Sequence, residues 1–418
     1  DLGMPVVMMS TALLMIFAVY LIDGYRARTD MSNVVYTSEH VLANIAAMLA
    51  TLVLTFVVIP EGFPLQSSRA VIALSFAALI PITLAYRRQI HFAYLRREGQ
   101  GSLVFLGDPK SCATFREECA RMRTHQPIVA TVGNLPPGDR NGTVRAFPEV
   151  LREIESGALK VEAIVLRESN REIDDADSQR LVSLYFAGIH TYTLELFHEV
   201  FWRKTPLYRL NQTWLFQEGF PIAREPVFDR LKRASDILLA SIGLVLSAPV
   251  ILVAALAVWL EDRGPPFFRQ TRIGKNQAPF RLLKLRTMRP AAVDDEPYTK
   301  TDDARVSRVG RFLRSTRIDE FPQLYNVLRN EMSLIGPRAE WDRLVGRYQN
   351  EIPCYHFRHL VKPGITGWAQ VNYPYGASID DTLRKLEYDL YYIRHFSFLL
   401  DATIVLKTIH VMLFGKGR

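Results

Sequence analysis

Three apolar runs of helical length open the chain, at residues 4–22, 41–60 and 70–86. Each is close to the roughly 20 residues that carry a helix across a hydrocarbon core. Buried helices of a water-soluble domain do not need such charge-free runs one after another, so the pattern predicts membrane-spanning helices. Arg87, Arg88, Arg96 and Arg97 crowd the exit of the third run, while the loop between the second and third carries little beyond Glu61 and Arg69. The chain beyond residue 86 is therefore predicted to be cytoplasmic.

Beyond residue 100 the period changes. Short apolar runs at 103–107, 127–133, 161–166 and 188–194 alternate with polar helical stretches such as 108–122 and 146–156. That alternation predicts a doubly wound parallel sheet. The turn after its first strand reads GDPKSC rather than G-x-G-x-x-G, so dinucleotide binding is a weak expectation and a structural or oligomerising role the stronger one. Residues 206–226 read as an irregular linker.

A fourth long apolar run, 237–260, has basic flanks on both sides: Arg230, Lys232 and Arg233 before it, Arg263, Arg269, Arg272 and Lys275 after it. Both flanks ask for the cytoplasmic face. In its middle stand Ser247, Ala248 and Pro249, and proline removes a backbone donor and clashes with the preceding turn. Two arrangements fit: a helix that enters the bilayer, breaks at Pro249 and leaves on the same face, or a kinked span. The kinked span would export everything beyond residue 260, including a dense set of phosphate-suited residues, so the re-entrant helix is the expectation. Residues 396–414 are apolar but interrupted by Asp401, Lys407 and His410, which sit badly at bilayer centre. A helix lying in the membrane interface is expected there, with a soluble core helix as the alternative.

At 418 residues the chain exceeds what one core normally serves, so at least two domains are expected. The net charge of +8 points to an anionic partner, and nucleic acid, phospholipid headgroups and phosphorylated substrates all qualify at this point. Cys112, Cys119 and Cys354 are too few and too scattered for a disulfide framework or a zinc site, which fits a reducing compartment. Cys112 and Cys119 are spaced to share a helical face and read as small buried apolar residues. The first residue is not Met and no signal-peptide cleavage pattern is present, so the natural start is expected to have been trimmed.

Residues 264–376 hold the densest set of phosphate-suited groups. Asp319 and Glu320 stand side by side behind Arg305, Arg308, Arg311, Arg314 and Arg317. One reading is a helical face of solvated ion pairs. The other is a phosphate site, since cations crowding a carboxylate keep it ionised at low pH and also attract phosphate. Lys284 and Arg286 lie two apart in an extended-looking run and are expected to project from one strand face. Arg338 follows in LIGPRAE, and Pro363-Gly364 set a tight bend beside Trp368. Their convergence beside a membrane-dipping helix favours the phosphate site.

Four motifs succeed one another in the C-terminal half: RASDILLASIGLVLSAPV, FRLLKLRTM, RIDEFPQLYNVLRNEMSLIGPR and KPGITGWAQVN. Through them residues 229–415 resemble the monotopic bacterial sugar transferases, the polyprenyl-phosphate phosphoglycosyl transferases. With the leading spans and the α/β region, the chain is similar to their large subclass. The resemblance implies a membrane α plus α/β fold: transmembrane helices over 1–98, a Rossmann-like doubly wound domain over 99–205, a linker over 206–228, and a monotopic α/β catalytic domain over 229–418. In that family a re-entrant membrane helix is broken at the positions matching Ser247 and Pro249. The implied reaction transfers a phosphosugar from a UDP-sugar to undecaprenyl phosphate and releases UMP, initiating exopolysaccharide, capsule or O-antigen synthesis. It would take place at the cytoplasmic face of a bacterial inner membrane. Asp319 would be the nucleophile, forming an acyl-phosphate intermediate. Glu320 would orient it or join it in holding Mg²⁺. Lys284, Arg286, Arg314 and Arg338 would clamp the phosphoryl oxygens.

The chain departs from the family pattern at Ala339, where a second proline is usual and whose absence is expected to loosen the turn that aims Arg338. No residue reads a sugar hydroxyl; galactose and glucose are the commonest expectations from the resemblance. The α/β domain is the expected contact of a homodimer, and nucleic acid is not an expected partner. Two rivals remain. A metal-dependent glycosyltransferase would use Asp294-Asp295 or Asp302-Asp303 and release UDP, and a membrane-anchored scaffold would bind anionic lipid without turnover.

Overall fold

The computed structural model describes residues 3–22, 24–25, 31, 34–58, 65–98, 101–122, 127–132, 144–167, 174–207, 226–289, 305–373, 376 and 378–414. The chain divides into two compact units, Asp1–Arg203 and Lys204–Arg418.

The first unit opens with α1 (Gly3–Leu21), α2 (Val34–Val58) and α3 (Leu65–Glu98). Ala18, Ala47 and Phe76 form their buried contact, with Leu14, Ala43 and Ile72 against it. Tyr36–Thr55 and Ala70–Ala93 are long and apolar enough to cross a membrane, and the described apolar stretch of α1, Thr11–Leu21, is shorter. α3 runs past its expected end near residue 86. There the Arg88 guanidinium donates to the Met31 carbonyl (3.1 Å) and to Thr37 Oγ1 (2.7 Å), tying α3 to Met31 and the first turn of α2.

An all-parallel sheet comes next, made of β1 (Ser102–Leu106), β2 (Ile128–Val132), β3 (Val144–Ala146), β4 (Val161–Leu166) and β5 (His190–Thr193), in the order β3-β2-β1-β4-β5. Its helices are α4 (Pro109–Arg121), α5 (Phe147–Glu155), α6 (Asp175–Phe186) and α7 (Leu194–Phe197). Leu103 and Phe105 of β1 pack on α4 and α7, while Val104 and Leu106 pack on α5 and α6. A strand covered on both faces reads as an unbroken apolar run, which is why β1 was legible. All four expected strands are present. The fifth, β3, has three residues, too few to display a period. Cys112 and Cys119 share the buried face of α4. Asp108 caps α4, accepting from the Ser111 N–H (2.9 Å) and pairing with Arg167. A carboxylate thus serves the helix start at which a dinucleotide fold holds phosphate.

The second unit is organised around α8 (Pro226–Asp262), whose 37 residues span about 55 Å. The break expected at Ser247 and Pro249 is absent: the backbone stays helical through both. One domain holds α8 along its length. Arg233 donates to the carbonyls of Val327 (2.7 Å) and Leu328 (2.9 Å), and Asp236 accepts from Ser333 Oγ and the Leu334 N–H, both at 3.1 Å. Ile251, Ala254 and Val258 pack on Leu285 and Leu313, and Glu261 at the far end accepts from the Arg308 N–H (2.9 Å). The opposite face is apolar and open, with Val245 and Leu246 both 73% exposed beside Leu238, Leu252 and Val253.

Beyond α8 come a hairpin of β6 (Phe267–Ile273) and β7 (Pro279–Leu285), then α9 (Arg308–Thr316), a 3-10 turn (Ile318–Glu320), α10 (Gln323–Leu328) and β8 (Ser333–Ile335). α11 (Asp342–Glu351) and a second 3-10 turn (Tyr355–Leu360) lead to β9 (Gly364–Thr366), parallel to β8. The chain closes with α12 (Trp368–Asn372), α13 (Ile379–His395), begun by a Ser378–Asp381 capping box, and α14 (Phe398–Phe414). α14 turns its charges inward: Asp401 is buried against Lys232 and Tyr392, and Lys407 donates to Asn372 Oδ1 (2.6 Å) over the Trp368 ring. Phe398, Leu399, Val405, Ile409 and Met412 face outward.

Candidate active site

Two of the four C-terminal motifs meet through glycine. A Cβ on Gly364 would lie 2.1 Å from the Gly336 nitrogen, and one on Gly367 would lie 2.1 Å from the Gly336 oxygen. Only bare backbone allows β8 and β9 to approach this closely, and the chain leaves β8 directly into Pro337 and Arg338. On the other side of the site, Ser307 caps α9 by accepting from the Gly310 N–H (2.9 Å). α9 ends at Arg317, which has left-handed backbone (φ 60°, ψ 13°) and reverses the chain into the turn bearing Asp319 and Glu320.

The two acids differ. Asp319 is 7% exposed and accepts no hydrogen bond among the described residues, whereas Glu320 Oε1 lies 3.3 Å from Arg338 Nη2 and 3.7 Å from Arg317 Nη1. Burial pushes the Asp319 carboxyl up to about 6, the Glu320 charge adds to this, and Lys284, Arg314 and Arg338 oppose it. The expectation that the surrounding cations keep this acid ionised at low pH is thereby corrected. Desolvation and the neighbouring carboxylate outweigh three cations held short of contact. Lys284 is pushed down to about 8, chiefly by burial and then by the Arg272 charge, with Asp319 opposing. Its ammonium lies 5.2 Å from the centroid of the Phe268 ring on the facing strand.

The charges of Lys284, Arg314 and Arg338 thus act on Asp319, Arg338 also pairs with Glu320, and Arg314 is steadied by a bond from Nε to Thr287 Oγ1 (2.9 Å). Arg286 does not join them. β7 ends at Leu285, so residue 286 leaves the strand face that carries Lys284, and its guanidinium is buried in a pair with Asp262 at the end of α8. Two of its nitrogens, Nε and Nη1, have no partner among the described residues. Gly264 makes room for this group, since a Cβ there would come within 2.6 Å of it.

Sequence reasoning places Arg272, whose charge acts on Lys284, only as a membrane flank and passes over the buried Arg358. Neither stands in a motif, although Arg272 is on the same face of the hairpin as Lys284 and period-2 counting along β6 would have found it. Ala339 does not leave the Arg338 turn slack, because Arg272 Nη1 donates to its carbonyl (3.0 Å) and Arg358 Nη2 to that of Arg338 (3.0 Å).

Among the described residues no group of three or more His, Cys, Asp or Glu could hold a metal ion. Asp319 and Glu320 alone suit a hard cation that takes its remaining oxygens from substrate and water, as Mg²⁺ does. The repulsion that raises Asp319 is what such a cation would relieve. The acid pairs Asp294-Asp295 and Asp302-Asp303 lie outside the described residues.

Residues 227–415 match the family described as Bacterial sugar transferase. A Rhizobium leguminosarum bv. phaseoli protein named "Exopolysaccharide production protein PSS" is 40% identical over 195 residues, 45% of this chain and 98% of its own. The chain belongs to the bacterial sugar transferase family. An Aeromonas hydrophila relative named as a UDP-N-acetylgalactosamine-undecaprenyl-phosphate N-acetylgalactosaminephosphotransferase is 38% identical over 262 residues, 62% of this chain and 61% of the relative. A UDP-glucose:undecaprenyl-phosphate glucose-1-phosphate transferase of Escherichia coli strain K12 is 46% identical over 184 residues, 43% of this chain and 39% of the relative. The chain thus spans less than two thirds of the length of these two relatives. The match to the Bacterial sugar transferase family takes in α8, Lys284, Arg314, Asp319, Glu320 and Arg338.

Proposed function

We propose that this bacterial sugar transferase moves a sugar 1-phosphate from a UDP-sugar to undecaprenyl phosphate, with release of UMP. The observation that carries the reading is Asp319: buried, free of hydrogen bonds among the described residues, and faced by Lys284, Arg314 and Arg338. A carboxylate so placed can attack only when ionised; Lys284, Arg314 and Arg338 favour that form and offset the negative charge of an approaching diphosphate. In the first step a carboxylate oxygen of Asp319 bonds to the sugar-linked phosphorus as the bond from that phosphorus to the UMP oxygen breaks. In the second, an oxygen of undecaprenyl phosphate attacks the same phosphorus and Asp319 departs as carboxylate. Dividing one displacement into two is the advantage of covalent catalysis. Lys284, Arg314 and Arg338 bind the phosphoryl oxygens, and Glu320, held by Arg317 and Arg338, orients the site. Mg²⁺, held by Asp319 and Glu320, would neutralise diphosphate charge.

The acceptor's chain stays in the bilayer, so the site must sit at headgroup depth. The outward apolar faces of α8 and α14 support monotopic insertion. A crossing helix would carry Glu261 about 37 Å from Asp236, to the far side of the membrane, yet both residues grip the same domain. A continuous helix lying shallowly on the cytoplasmic leaflet satisfies these contacts. The Rossmann-like region is read as structural, because Asp108 stands at its phosphate position.

The deciding experiment incubates the full chain with a panel of UDP-sugars, Mg²⁺ and undecaprenyl phosphate, and identifies the nucleotide released. UMP together with labelled phosphosugar trapped on residue 319 is the expected result. UDP would establish sugar transfer without phosphate, and no turnover with any donor would favour a scaffold.

A further inference from the structure

Four consecutive backbone carbonyls around Arg338 each accept a hydrogen bond, from three separate parts of the fold. The Gly364 N–H donates to Pro337 (2.9 Å), Arg358 Nη2 to Arg338 (3.0 Å), Arg272 Nη1 to Ala339 (3.0 Å) and the Ile273 N–H to Glu340 (3.1 Å). Loops ordinarily leave such groups to water. Arg358 is itself locked: Nη1 donates to Tyr355 Oη (2.7 Å), and Nη2 also donates to Asp389 Oδ2 (2.9 Å) on α13. Arg358, Tyr355 and Asp389 are all buried. A buried Arg–Asp pair gives little net stability over well-packed apolar residues, so stability alone does not account for it. The second arm of Arg358, aimed at the backbone of an exposed arginine beside the reacting acids, supplies a reason.

We propose that Arg358, locked by Tyr355 and Asp389, is a positioning residue that fixes the backbone at Arg338 and thereby the reach of the Arg338 guanidinium to the substrate phosphate. The inference rests on the reading of Arg338 as a phosphate contact. It also explains why alanine serves at position 339: the grip on the neighbouring carbonyls does the work a proline ring would do. A displacement of about 1 Å at a clamping group can cost ~10²-fold in rate, so a small slackening of this backbone should be felt.

The test is a double-mutant cycle on the full chain, reading UMP release with the best donor of the panel. Arg358→Lys keeps a charge for Asp389 but loses the forked reach to the Arg338 carbonyl. Tyr355→Phe removes one hydroxyl, and its thermal midpoint should stay within about 5 °C of the parent. Each is expected to lower kcat/KM, Arg358→Lys by ~10-fold or more, and to have less than about a twofold effect when Arg338→Ala is already present. Equal losses in both backgrounds would show that Arg358 acts through the fold at large and would overturn the inference while leaving Arg338 as a phosphate contact. An Arg338→Ala chain with unchanged kcat/KM would instead remove the phosphate reading of Arg338, and the inference with it.

Discussion

Lys284 on β7 and Asp319 on the 3-10 turn are a base and an acid that burial drives toward each other. The carboxyl rises to about 6 and the ammonium falls to about 8, while each charge partly restrains the other's shift. Turnover needs the carboxylate ionised and the ammonium charged. The profile of kcat/KM against pH should therefore be a bell, rising through about 6 as Asp319 loses its proton and falling through about 8 as Lys284 does. Replacing Lys284 by Arg, whose charge persists, should remove the alkaline limb and keep the acid one. A flat rate from pH 5 to 7 would contradict the assignment of Asp319.

The same acid should cost the fold something. Its folded pKa lies above the ordinary value of 3.8, so the protein favours the protonated form, and that preference is lost as pH rises through about 6. Asp319→Asn mimics the protonated form at every pH. It should abolish turnover and raise stability at pH 8 by about 1 to 3 kcal/mol, with little change at about pH 3, below the ordinary carboxyl value. Thermal melts of the two proteins at both pH values check this, and equal melting curves at pH 8 would argue against a buried, repelled carboxylate.

Arg286 should behave as a structural residue, unlike Arg314 and Arg338. Its partner is Asp262 at the end of α8, and the cations that chiefly act on Asp319 are Lys284, Arg314 and Arg338. Arg286→Gln should lower stability by about 1 to 2 kcal/mol while the folded enzyme keeps kcat/KM within about tenfold of the parent. Arg314→Ala and Arg338→Ala should each lose ~10²-fold or more with small changes in melting. Steady-state kinetics normalised to folded protein separates the two groups.

Much of this arrangement was readable in the sequence, and the remainder failed for identifiable reasons. The strands around β1 announced themselves because both faces are buried, and the Asp319–Glu320 pair stood out beside its arginines. What could not be read was the difference between the two acids, which arises from the left-handed backbone of Arg317 turning Asp319 inward. Arg286 was placed with Lys284 because period-2 counting does not show where a strand stops. The Ser247–Pro249 stretch suggested a broken helix, yet packing against Leu285 and Leu313 just beyond it accompanies an unbroken one. Arg358 carries no local signal, since everything that gives it a role comes from residues distant in sequence.

The continuity of α8 makes the membrane arrangement directly testable. If the helix crossed the bilayer, cysteines placed at Arg230 and Arg263, on its two flanks, would react from opposite sides. Because Arg233 and Asp236 near its start and Glu261 near its end all hold one domain, both positions should face the cytoplasm. A membrane-impermeant maleimide should leave both unlabelled in intact cells and label both in inverted vesicles, with single-cysteine chains built on a cysteine-free, active parent. Charged residues on the outward face should then act on membrane attachment and not on the domain: Leu246→Lys or Val253→Lys is expected to shift the enzyme toward the soluble fraction after mild detergent, each by a cost of about 2 to 3 kcal/mol if the position lies in hydrocarbon. Pro249→Ala should restore the backbone bond that proline denies to this continuous helix. If Pro249 sets the depth of the site, kcat/KM for the lipid acceptor should fall more than that for the UDP-sugar. Labelling of residue 263 in intact cells would place the end of α8 outside and contradict insertion from one face.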